Sequence, residues 1–556
     1  MPQSSGILQC NHVDIAERRI RAAQVVWNHG KLTQIRELGP ENPAWPYLLP
    51  GFIDAHVHIE SSLLPPVEFA RMAVRHGTMA AISDPHEIAN VLGCDGVHWM
   101  LANAAQTPFH FLFGAPSCVP ATSFETAGGR IGVSEVEGLL ATPGIGYLSE
   151  VMNFPAVLAG DPDLQAMLAA AQKCGLPIDG HAPGLCGASA AAYAAAGIST
   201  DHECSSLAEA EDKLAAGMKI LIREGSAARN FDTLHPLLSA YPGQIMLCTD
   251  DCHPDDLARG HIDRLIARAV ALGHDVFTVL EASCLTPQRH YGLTLGQLRV
   301  GDPFNAVQVD NLCDFTVAAV WLNGTLAARQ GQSLLPALPV TPINRFAARP
   351  VTPEALVITK EHKNPPDLTR VILALDGELL TRSLLLPING PVPADDVLLI
   401  AVVNRYTPAV PALALIRGFG LQAGALASSV AHDSHNVIGV GCDPHSLAAA
   451  LNAVIAAQGG LAAVDASGHC ELLPLPIAGL MSDADGDQVA EHYARLNTIL
   501  HERLGSPLRA PFMTLSFMAL LVIPELKLSD RGLFDGNNFS LTPLSVAATE
   551  CSESFV

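Results

Sequence analysis

Between about residues 47 and 290, short apolar runs recur, and each one ends in a polar or ionisable residue before an alanine-rich segment with helical periodicity. Such an alternation of strands and helices predicts a parallel sheet whose crossover connections are helical. Eight repeats in about 240 residues match the size of a (β/α)8 barrel. The predicted strands are Leu48–Ile59, Thr78–Ser83, His110–Val119, Ile145–Val151, Pro177–His181, Ile198–His202, Met218–Arg223 and Gln244–Asp250.

The rest of the chain differs from this repeat, and the full length of 556 residues is about four times that of an ordinary domain. Residues 1–46 and 291–345 carry alternating stretches separated by Gly and Asn turns, which predicts one small flanking β-domain beside a barrel at residues 47–290. The proline-rich stretch Leu335–Pro353 predicts a linker. Residues 354–556 mix strands with helices, which predicts a C-terminal α/β domain. The predicted fold class is therefore α/β.

Composition disfavours several kinds of partner. Asp and Glu total 55 against 32 Lys and Arg, a formal net charge of -23, whereas nucleic acid and anionic membranes require clustered positive charge. No apolar run reaches the roughly twenty residues that cross a bilayer; the nearest, Phe512–Ile523, predicts a buried core segment. The N-terminal residues lack a secretory signal pattern. Thirteen cysteines without a repeating spacing predict free thiols, and we therefore expect a cytoplasmic protein.

The residues at the predicted strand ends are of the types that bind metal ions in proteins. The first strand ends with His56 and His58, and side chains two residues apart on a strand share one face, so both imidazoles can reach one ion. The fifth strand ends at His181, the sixth at His202 and the eighth at Asp250. Because the carboxyl ends of the strands meet at one face of a barrel, these residues predict two divalent metal ions at its mouth.

Two ions held close together need a bridging anion, for which barrels of this kind often use a carboxylated lysine at the end of the fourth strand. Lys173 is the only lysine between His58 and His181, and it falls in a helical stretch. The fourth strand instead ends near Glu150, which we expect to bridge the ions. Imidazole and carboxylate ligands suit manganese, iron and zinc alike, so the ligand set leaves the metal open.

Long motifs resemble those of the bacterial-type adenine deaminases of the amidohydrolase superfamily, and the resemblance covers nearly the whole chain. In the barrel these motifs are PGFIDAHVHIESS (50–62), SDPHEIANVLG (83–93), SEVMNFPAV (149–157), DGHAPGL (179–185), STDHECSS (199–206), REGSAARN (223–230) and CTDD (248–251). In the last domain they are GFGLQAGALASSVAHDSHNVIGVG (418–441), LPLPIAGLMSD (473–483) and PFMTLSFMALLVIPELKLSDRGLFD (511–535). The resemblance implies metal-dependent hydrolysis of adenine to hypoxanthine and ammonia in purine salvage, with manganese or iron expected and zinc as the alternative.

Exchange of the amine at C6 of a purine needs a hydroxide nucleophile near neutral pH and a group that protonates the departing ammonia. Asp250 is the first candidate for a carboxylate that takes the proton of the attacking water and returns it to the amine. Glu203 and Asp84 are the alternatives. Glu203 follows His202 directly, so on an extended backbone its side chain would point away, which favours a role in orienting a ligand imidazole.

Residues beside the strand ends are candidates for substrate binding, each with an ordinary structural alternative. Arg223 ends the seventh strand, where it could meet a ring edge. Asp84 and His86 follow the second strand; they could protonate a purine nitrogen or hold an auxiliary ion, or else form a turn that Asp84 caps. Asp251 and Asp255 follow the metal aspartate, and Asp255 could equally begin the next helix.

The segment 431–436 concentrates polar groups between apolar stretches of the last domain, including His432, Asp433 and His435. Taken alone it resembles a metal cluster, but four adjacent residues rarely supply one closed site, and a helix start is the ordinary explanation. The family-like motif at residues 418–441 runs through this segment, which favours a location at a domain interface or over the barrel mouth.

Other functions remain as alternatives. The same metals could hydrolyse another aminopurine or a cyclic amide, although the missing bridging lysine counts against the cyclic amide. A non-catalytic metal-binding protein would be expected to lack one or more of the six candidate ligands, and all six are present. We therefore expect a small-molecule substrate, with a homodimer as one open possibility for the assembly.

Overall fold

The computed structural model describes residues 4–358, 368–388 and 396–546. The chain begins with four strands of a flanking sheet, β1 (Gly6–Asp14), β2 (Arg19–Asn28), β3 (Lys31–Pro40) and β4 (Tyr47–Pro50). Eight short parallel strands follow: β5 (Phe52–Val57), β6 (Thr78–Ser83), β7 (His110–Ala115), β8 (Ile145–Val151), β9 (Ile178–Gly180), β10 (Thr200–Asp201), β11 (Lys219–Arg223) and β12 (Ile245–Cys248).

Helices connect these parallel strands and cover their outer face. They are α1 (Pro66–Ala73), α2 (His86–Leu92), α3 (Cys94–Ala104), α4 (Val133–Leu140), α5 (Phe154–Ala159), α6 (Pro162–Cys174), α7 (Gly187–Ala195), α8 (Leu207–Ala215), α9 (Phe231–Leu234), α10 (Leu237–Ala240), α11 (Pro254–Arg259), α12 (Ile262–Ala271), α13 (Val276–Leu280) and α14 (Thr286–Tyr291). Their buried faces join the barrel strands in one hydrophobic core.

The eight parallel strands close into a barrel, which confirms the predicted (β/α)8 architecture. Strands β5 to β9 pair in sequence order, and so do β10 to β12. The first group meets the second where the N–H of Ser199 donates to Ile178 O at 2.8 Å. The ring closes between β12 and β5, where the N–H of Asp250 donates to His56 O at 2.9 Å and the N–H of His58 donates to Asp250 O at 3.0 Å.

The predicted first strand, Leu48–Ile59, is two strands in the structure. β4 pairs with β1 in the flanking sheet, whereas β5 pairs with β6 in the barrel. The chain changes sheets at Gly51, where an added Cβ would lie 1.8 Å from Met79 Cε. A side chain at this position would therefore displace Met79, and the apolar run alone does not reveal the change of sheet.

After α14 the chain returns to the flanking sheet with β13 (Ala306–Val309), β14 (Val317–Leu322), β15 (Thr325–Arg329) and β16 (Gln332–Ser333). The eight strands lie in the order β16-β15-β14-β13-β4-β1-β2-β3. Both ends of the barrel sequence thus enter one sheet, whose strands lie in residues 6–50 and 306–333. Within the predicted linker, residues 336–352 run without a strand or helix.

The last part of the chain forms a mixed sheet with the order β18-β17-β20-β19-β22-β21-β23-β24, and β28 pairs with β17. The strands of this sheet are β17 (Leu368–Ala374), β18 (Thr381–Leu386), β19 (Val397–Val403), β20 (Ala412–Arg417), β21 (Ala425–Ser428), β22 (Val437–Gly441), β23 (Gly460–Val464), β24 (Cys470–Pro474) and β28 (Ser545–Val546). A separate antiparallel sheet consists of β25 (Leu526–Ser529), β26 (Gly532–Asp535) and β27 (Ser540–Leu541). The helices are α15 (Pro444–Ala456), α16 (Gly486–Glu502) and α17 (Pro511–Phe517).

This C-terminal region packs directly against the barrel. Tyr493 of α16 places its hydroxyl 2.5 Å from His253 Nδ1, and the N–H of Ser482 donates to Leu63 O at 2.8 Å. The predicted buried segment Phe512–Ile523 lies mostly in the core that both parts share. Within the described ranges, no helix has the length and hydrophobicity that a membrane crossing requires.

Lys527 on β25 is a buried cation that pairs with no carboxylate in the described part of the chain. Its side chain is fully buried, and Nζ donates to Leu379 O at 2.6 Å and to Phe517 O at 3.0 Å. Burial disfavours the ammonium and lowers the pKa of Lys527 from 10.5 to about 7. The folded state therefore releases this proton at a lower pH than the unfolded state does.

We expect Lys527 to make the stability of the protein depend on pH. Between pH 7 and pH 10 the unfolded chain binds more protons at this position, so the free energy of unfolding of the wild type should rise relative to Lys527→Met by about 1 kcal/mol per pH unit. Denaturant titration at several pH values measures the difference. The exposed Lys173→Met substitution is the control, and a Lys527→Met difference that is constant with pH would contradict the expectation.

Candidate metal centre at the barrel mouth

Six ionisable side chains converge where the barrel strands end. His56 lies on β5 and Glu150 on β8. The other four follow the carboxyl ends of their strands directly or within two residues; they are His58, His181, His202 and Asp250. Five of the six are buried, and His181 is partly exposed. These are the six residues predicted as metal ligands, and the structure brings all of them together.

Two carboxylates separate the imidazoles into two groups. Asp250 Oδ1 lies 3.5 Å from His56 Nε2 and 3.2 Å from His58 Nε2. Glu150 Oε2 lies 2.8 Å from His181 Nδ1 and 3.2 Å from His202 Nε2. The other Glu150 oxygen, Oε1, lies 3.4 Å from His58 Nε2. Glu150 thus faces both groups, as a bridging ligand would.

The cluster has the chemistry of a divalent metal centre. The ligand atoms of His56, His58 and Asp250 all lie within 4.8 Å of one another, as do those of His56, Glu150 and His202. Both ring nitrogens of His56 and Nε2 of His181 are buried without a hydrogen-bond partner among the described residues. Buried polar atoms without partners are costly, and a cation bound here would satisfy them, so the residues fit divalent metal ions.

Opposite charges keep the two central carboxylates ionised. Burial opposes the charged form of Glu150, but His181 and His202 outweigh this effect and hold the pKa of Glu150 well below its usual range. Burial likewise opposes ionisation of Asp250, and Arg223 outweighs it, so the pKa of Asp250 also lies well below its usual range. Both groups are therefore available as anionic ligands.

Glu203 faces the centre, so the expectation that its side chain points away is wrong. Strand alternation stops at Asp201, the last residue of β10, and the N–H of Glu203 donates to Asp201 Oδ1 at 2.9 Å in the turn that follows. Glu203 Oε1 lies 3.5 Å from His202 Nε2 and 3.6 Å from His181 Nδ1. The short strand places His202 and Glu203 on the same side.

Arg223 joins two of the candidate proton shuttles. Its NH1 group donates to Asp250 Oδ2 at 2.5 Å and also to Glu203 Oε1. Its NH2 group donates to Glu203 Oε2 at 3.0 Å. The guanidinium thus fixes the orientation of both carboxylates, and Arg223 itself lines the cavity where the sequence predicted a substrate contact.

Asp84 supports the site through the backbone. The N–H of His86 donates to Asp84 Oδ1 at 3.0 Å, and the N–H of Glu150 donates to Asp84 Oδ2 at 3.2 Å. The capping interpretation of this turn therefore matches the contacts. His86 lies closer to the chemistry, because its Nδ1 is 3.3 Å from Glu150 Oε1 and its side chain lines the cavity.

The two aspartates that follow Asp250 lie in different places. Asp251 lines the cavity and accepts a hydrogen bond at 2.5 Å from Ser61 Oγ. Burial and the adjacent Asp250 charge raise the pKa of Asp251. Asp255 lies in the first turn of α11 and pairs with Arg259 at 3.2 Å. The structure thus does not bring Asp255 to the cavity, and it begins a helix as the alternative interpretation had it.

The C-terminal region supplies residues that sequence reasoning left out of the site. His432 Nδ1 donates to Glu87 Oε1, and His435 Nε2 lies 2.5 Å from Glu87 Oε2. Asp433 Oδ1 lies 3.8 Å from His86 Nε2. Glu87 could have been found as the neighbour of His86 in one motif. For Asp433, sequence reasoning predicted only that its segment lies at a domain interface or over the barrel mouth, and its partner His86 follows from how two distant segments pack.

A cavity of about 40 Å³ lies between the candidate metal ligands and the C-terminal region. Its apolar wall consists of Met152, Leu379, Phe517, Leu520 and Val522. A much larger cleft of about 1320 Å³ adjoins it, and four residues line both spaces, namely Glu203, Arg223, Leu379 and Val522. The cleft therefore offers a route from solvent to the metal ligands.

Comparison with known proteins gives matches over both parts of the chain. A sequence model of the amidohydrolase family matches residues 47–327, and one of the adenine deaminase C-terminal domain matches residues 382–540. Proteins named adenine deaminase from Sulfurovum sp. (strain NBC37-1) and Salinibacter ruber (strain DSM 13855 / M31) are 52% and 53% identical to the chain; the alignments cover 96% and 95% of it and 98% and 96% of theirs. The adenine deaminase from Methanosarcina acetivorans is 46% identical, over 96% of this chain and 98% of its own.

Replacement of Glu150 tests whether this carboxylate holds both ions. Because its two oxygens face separate groups of histidines, Glu150→Ala should lower the bound metal by at least half after reconstitution with excess Mn²⁺, as elemental analysis would measure. The exposed Glu137→Ala substitution on α4 should leave the metal content unchanged. Full metal content in Glu150→Ala would remove Glu150 from the bridging position.

Proposed function

The chain belongs to the adenine deaminase family within the amidohydrolases, and we propose that the cluster at its barrel mouth hydrolyses adenine to hypoxanthine and ammonia. The observation that carries this proposal is the convergence of six side chains of metal-ligand type beside a small cavity. The high identity to adenine deaminases over nearly the full length supports the same reaction.

The proposed cofactor is a pair of divalent ions, manganese or iron before zinc. His56, His58 and Asp250 would hold one ion, His181 and His202 the other, and Glu150 would contribute to both. When bound, such ions lower the pKa of water enough to supply a hydroxide nucleophile near neutral pH. Five of the six side chains are buried, and both ring nitrogens of His56 and Nε2 of His181 have no hydrogen-bond partner among the described residues, which supports this arrangement.

Asp250 is the proposed proton shuttle. Its Oδ1 faces His56 and His58, while Arg223 donates to its Oδ2. The carboxylate takes one proton from the attacking water and returns it to the departing amine, so that ammonia leaves in a neutral form, while the second proton of the water stays with the product as the N1–H of hypoxanthine. Arg223 keeps the side chain in one orientation during both transfers. Glu203, which Arg223 also binds, is the nearest alternative shuttle.

The C-terminal region would complete the site by excluding water. Phe517, Leu520 and Val522 cover the polar cluster with apolar side chains. Exclusion of water strengthens the electrostatic interactions between the carboxylates, Arg223 and a bound purine. The reaction therefore requires both the barrel and the C-terminal region in this proposal.

A reducing compartment suits the protein, and we propose the cytoplasm. The cysteines in the described ranges are all free thiols, and six of them are buried. Disulfides are the usual alternative in oxidising environments. For the assembly, a homodimer stays a prediction from sequence.

Asp250→Asn separates proton transfer from metal binding. The amide can still offer an oxygen to a cation but cannot accept a proton from water. We expect the variant to keep most of its metal and to deaminate adenine at least ~10²-fold more slowly, the usual size of a general acid–base contribution. Metal content and ammonia release are measured on the same sample, with the exposed Asp163→Asn substitution as control. Near-normal turnover in a metal-replete variant would assign the shuttle to Glu203, Asp84 or Asp251.

A further inference from the structure

We propose that His432 and Asp433, which enter the cavity from the C-terminal region, recognise the N3 and N9–H edge of a free purine base. This inference rests on the proposed function and adds a reason why the free base, rather than a nucleoside, is the substrate. Both residues line the cavity beside the metal ligands, and both are almost completely buried, at 4% and 3% exposure.

Each residue has one buried polar atom without a hydrogen-bond partner in the described part of the chain. For His432 this atom is Nε2, and for Asp433 it is Oδ2. The other polar atoms of the two side chains face the protein, since His432 Nδ1 donates to Glu87 and Asp433 Oδ1 lies 3.8 Å from His86 Nε2. Buried polar atoms without partners are rare and costly. A ligand in the cavity would provide the missing partners.

The other unpartnered atoms in the cavity wall belong to residues that already have a role. They are Nδ1 of His86, Nε2 of His181 and Nε of Arg223. His86 Nδ1 faces the carboxylates of Asp84 and Glu150, each at 3.3 Å. His181 is a proposed metal ligand, and Arg223 binds two carboxylates through its terminal nitrogens. The pair from the C-terminal region thus remains for the substrate.

The pair offers one donor and one acceptor. Burial disfavours the charged imidazole of His432, but Glu87 outweighs this effect and raises its pKa to about 9, so Nε2 carries a proton at neutral pH. Asp433 Oδ2 is a carboxylate oxygen and can accept. Unsubstituted adenine presents the acceptor N3 next to the donor N9–H, which is the complementary pair. A nucleoside carries a sugar at N9 and has no proton there.

Contacts with the barrel and within the C-terminal region hold the segment in place. His435 Nε2 lies 2.5 Å from Glu87 Oε2, and the N–H of Ala431 donates to His435 Nδ1 at 3.2 Å. The N–H of Arg405 donates to Asn436 Oδ1 at 3.0 Å. His432 and Asp433 are therefore fixed between residues that are bound on both sides, as a selective contact requires. A site that hydrogen-bonds a substrate N–H rejects analogues without it, because its own buried group is left unpaired.

The test compares adenine with 9-methyladenine, which lacks only the N9 proton, in the metal-loaded full-length protein. For the wild type, kcat/KM should be at least ~10²-fold lower for 9-methyladenine. In Asp433→Ala, kcat/KM for adenine should fall ~10²-fold, while that for 9-methyladenine should change less than about threefold or rise, so the discrimination is lost. Asp433→Asn keeps an acceptor oxygen, so its ratio of kcat/KM for adenine to kcat/KM for 9-methyladenine should lie between the ratios of the wild type and of Asp433→Ala. The exposed Asp483→Asn substitution is the control.

Two further measurements exclude other roles of Asp433. Calorimetric titration with purine and 9-methylpurine, which have no amine to lose, should show the same loss of discrimination in binding. The metal content of Asp433→Ala and Asp433→Asn should equal that of the wild type. For His432, the matching pair is adenine and 3-deazaadenine, and His432→Ala should discriminate between them less than the wild type does.

The outcomes separate this inference from the proposed function. A wild type that releases no ammonia from adenine would refute the function itself. A wild type that deaminates adenine and 9-methyladenine equally, or an Asp433→Ala variant that loses both substrates to the same extent, would overturn the recognition role while leaving the function intact. Loss of metal from both Asp433 variants would make Asp433 a metal ligand and would also overturn the inference.

Discussion

Closure of the barrel passes through the backbone of Asp250, and the metal centre depends on that closure. The N–H and C=O of Asp250 pair with His56 and His58 on the first barrel strand, which sets the eighth strand beside the first. The same register brings the Asp250 carboxylate to both imidazoles. Asp250 adopts a left-handed conformation with φ of 57°, which is strained for a residue with a side chain and is tolerated where surrounding contacts fix it. The fold therefore places a strained residue at its functional centre.

Burial of so many ionisable groups requires each charge to have a partner. Glu150 is paired with His181 and His202, and Arg223 is shared between Asp250 and Glu203. A buried charge without such a partner costs several kcal/mol, so the loss of one member would affect its neighbours as well. Among the proposed ligands, Asp250 is supported by Arg223, a residue outside the proposed ligand set, whereas Glu150 is paired with other proposed ligands.

The sequence was sufficient for the parts of the fold that depend on local pattern. The recurrence and the lengths of the apolar runs predicted the eight barrel strands. The polar residues at the strand ends predicted that His56, His181 and Asp250 converge, because parallel strands place their carboxyl ends at one face of the barrel. Strand alternation failed for Glu203, since β10 ends two residues earlier and a turn redirects the side chain. The change of sheet at Gly51 was also hidden, because an apolar run looks the same whether one sheet or two receive it. The place of Asp433 in the site depends on its contact with His86, in a segment about 350 residues earlier in the sequence. The neighbouring contact of Glu87 with His435 spans 348 residues. No local pattern encodes contacts over such separations.

The start of α2 connects the metal centre to the C-terminal region. His86 and Glu87 are adjacent, and their side chains contact different partners: His86 Nδ1 lies near Glu150, while Glu87 binds His432 and His435. One short helix start therefore contacts a proposed bridging ligand on one side and the proposed base-recognition segment on the other. A shift of the C-terminal region would move Glu87 and, through the shared backbone, His86. Because packed polar contacts of this kind do not deform continuously, the proposed base-recognition segment and the proposed bridging carboxylate are held in one arrangement, so in this proposal the C-terminal region both covers the cavity and contributes to the site.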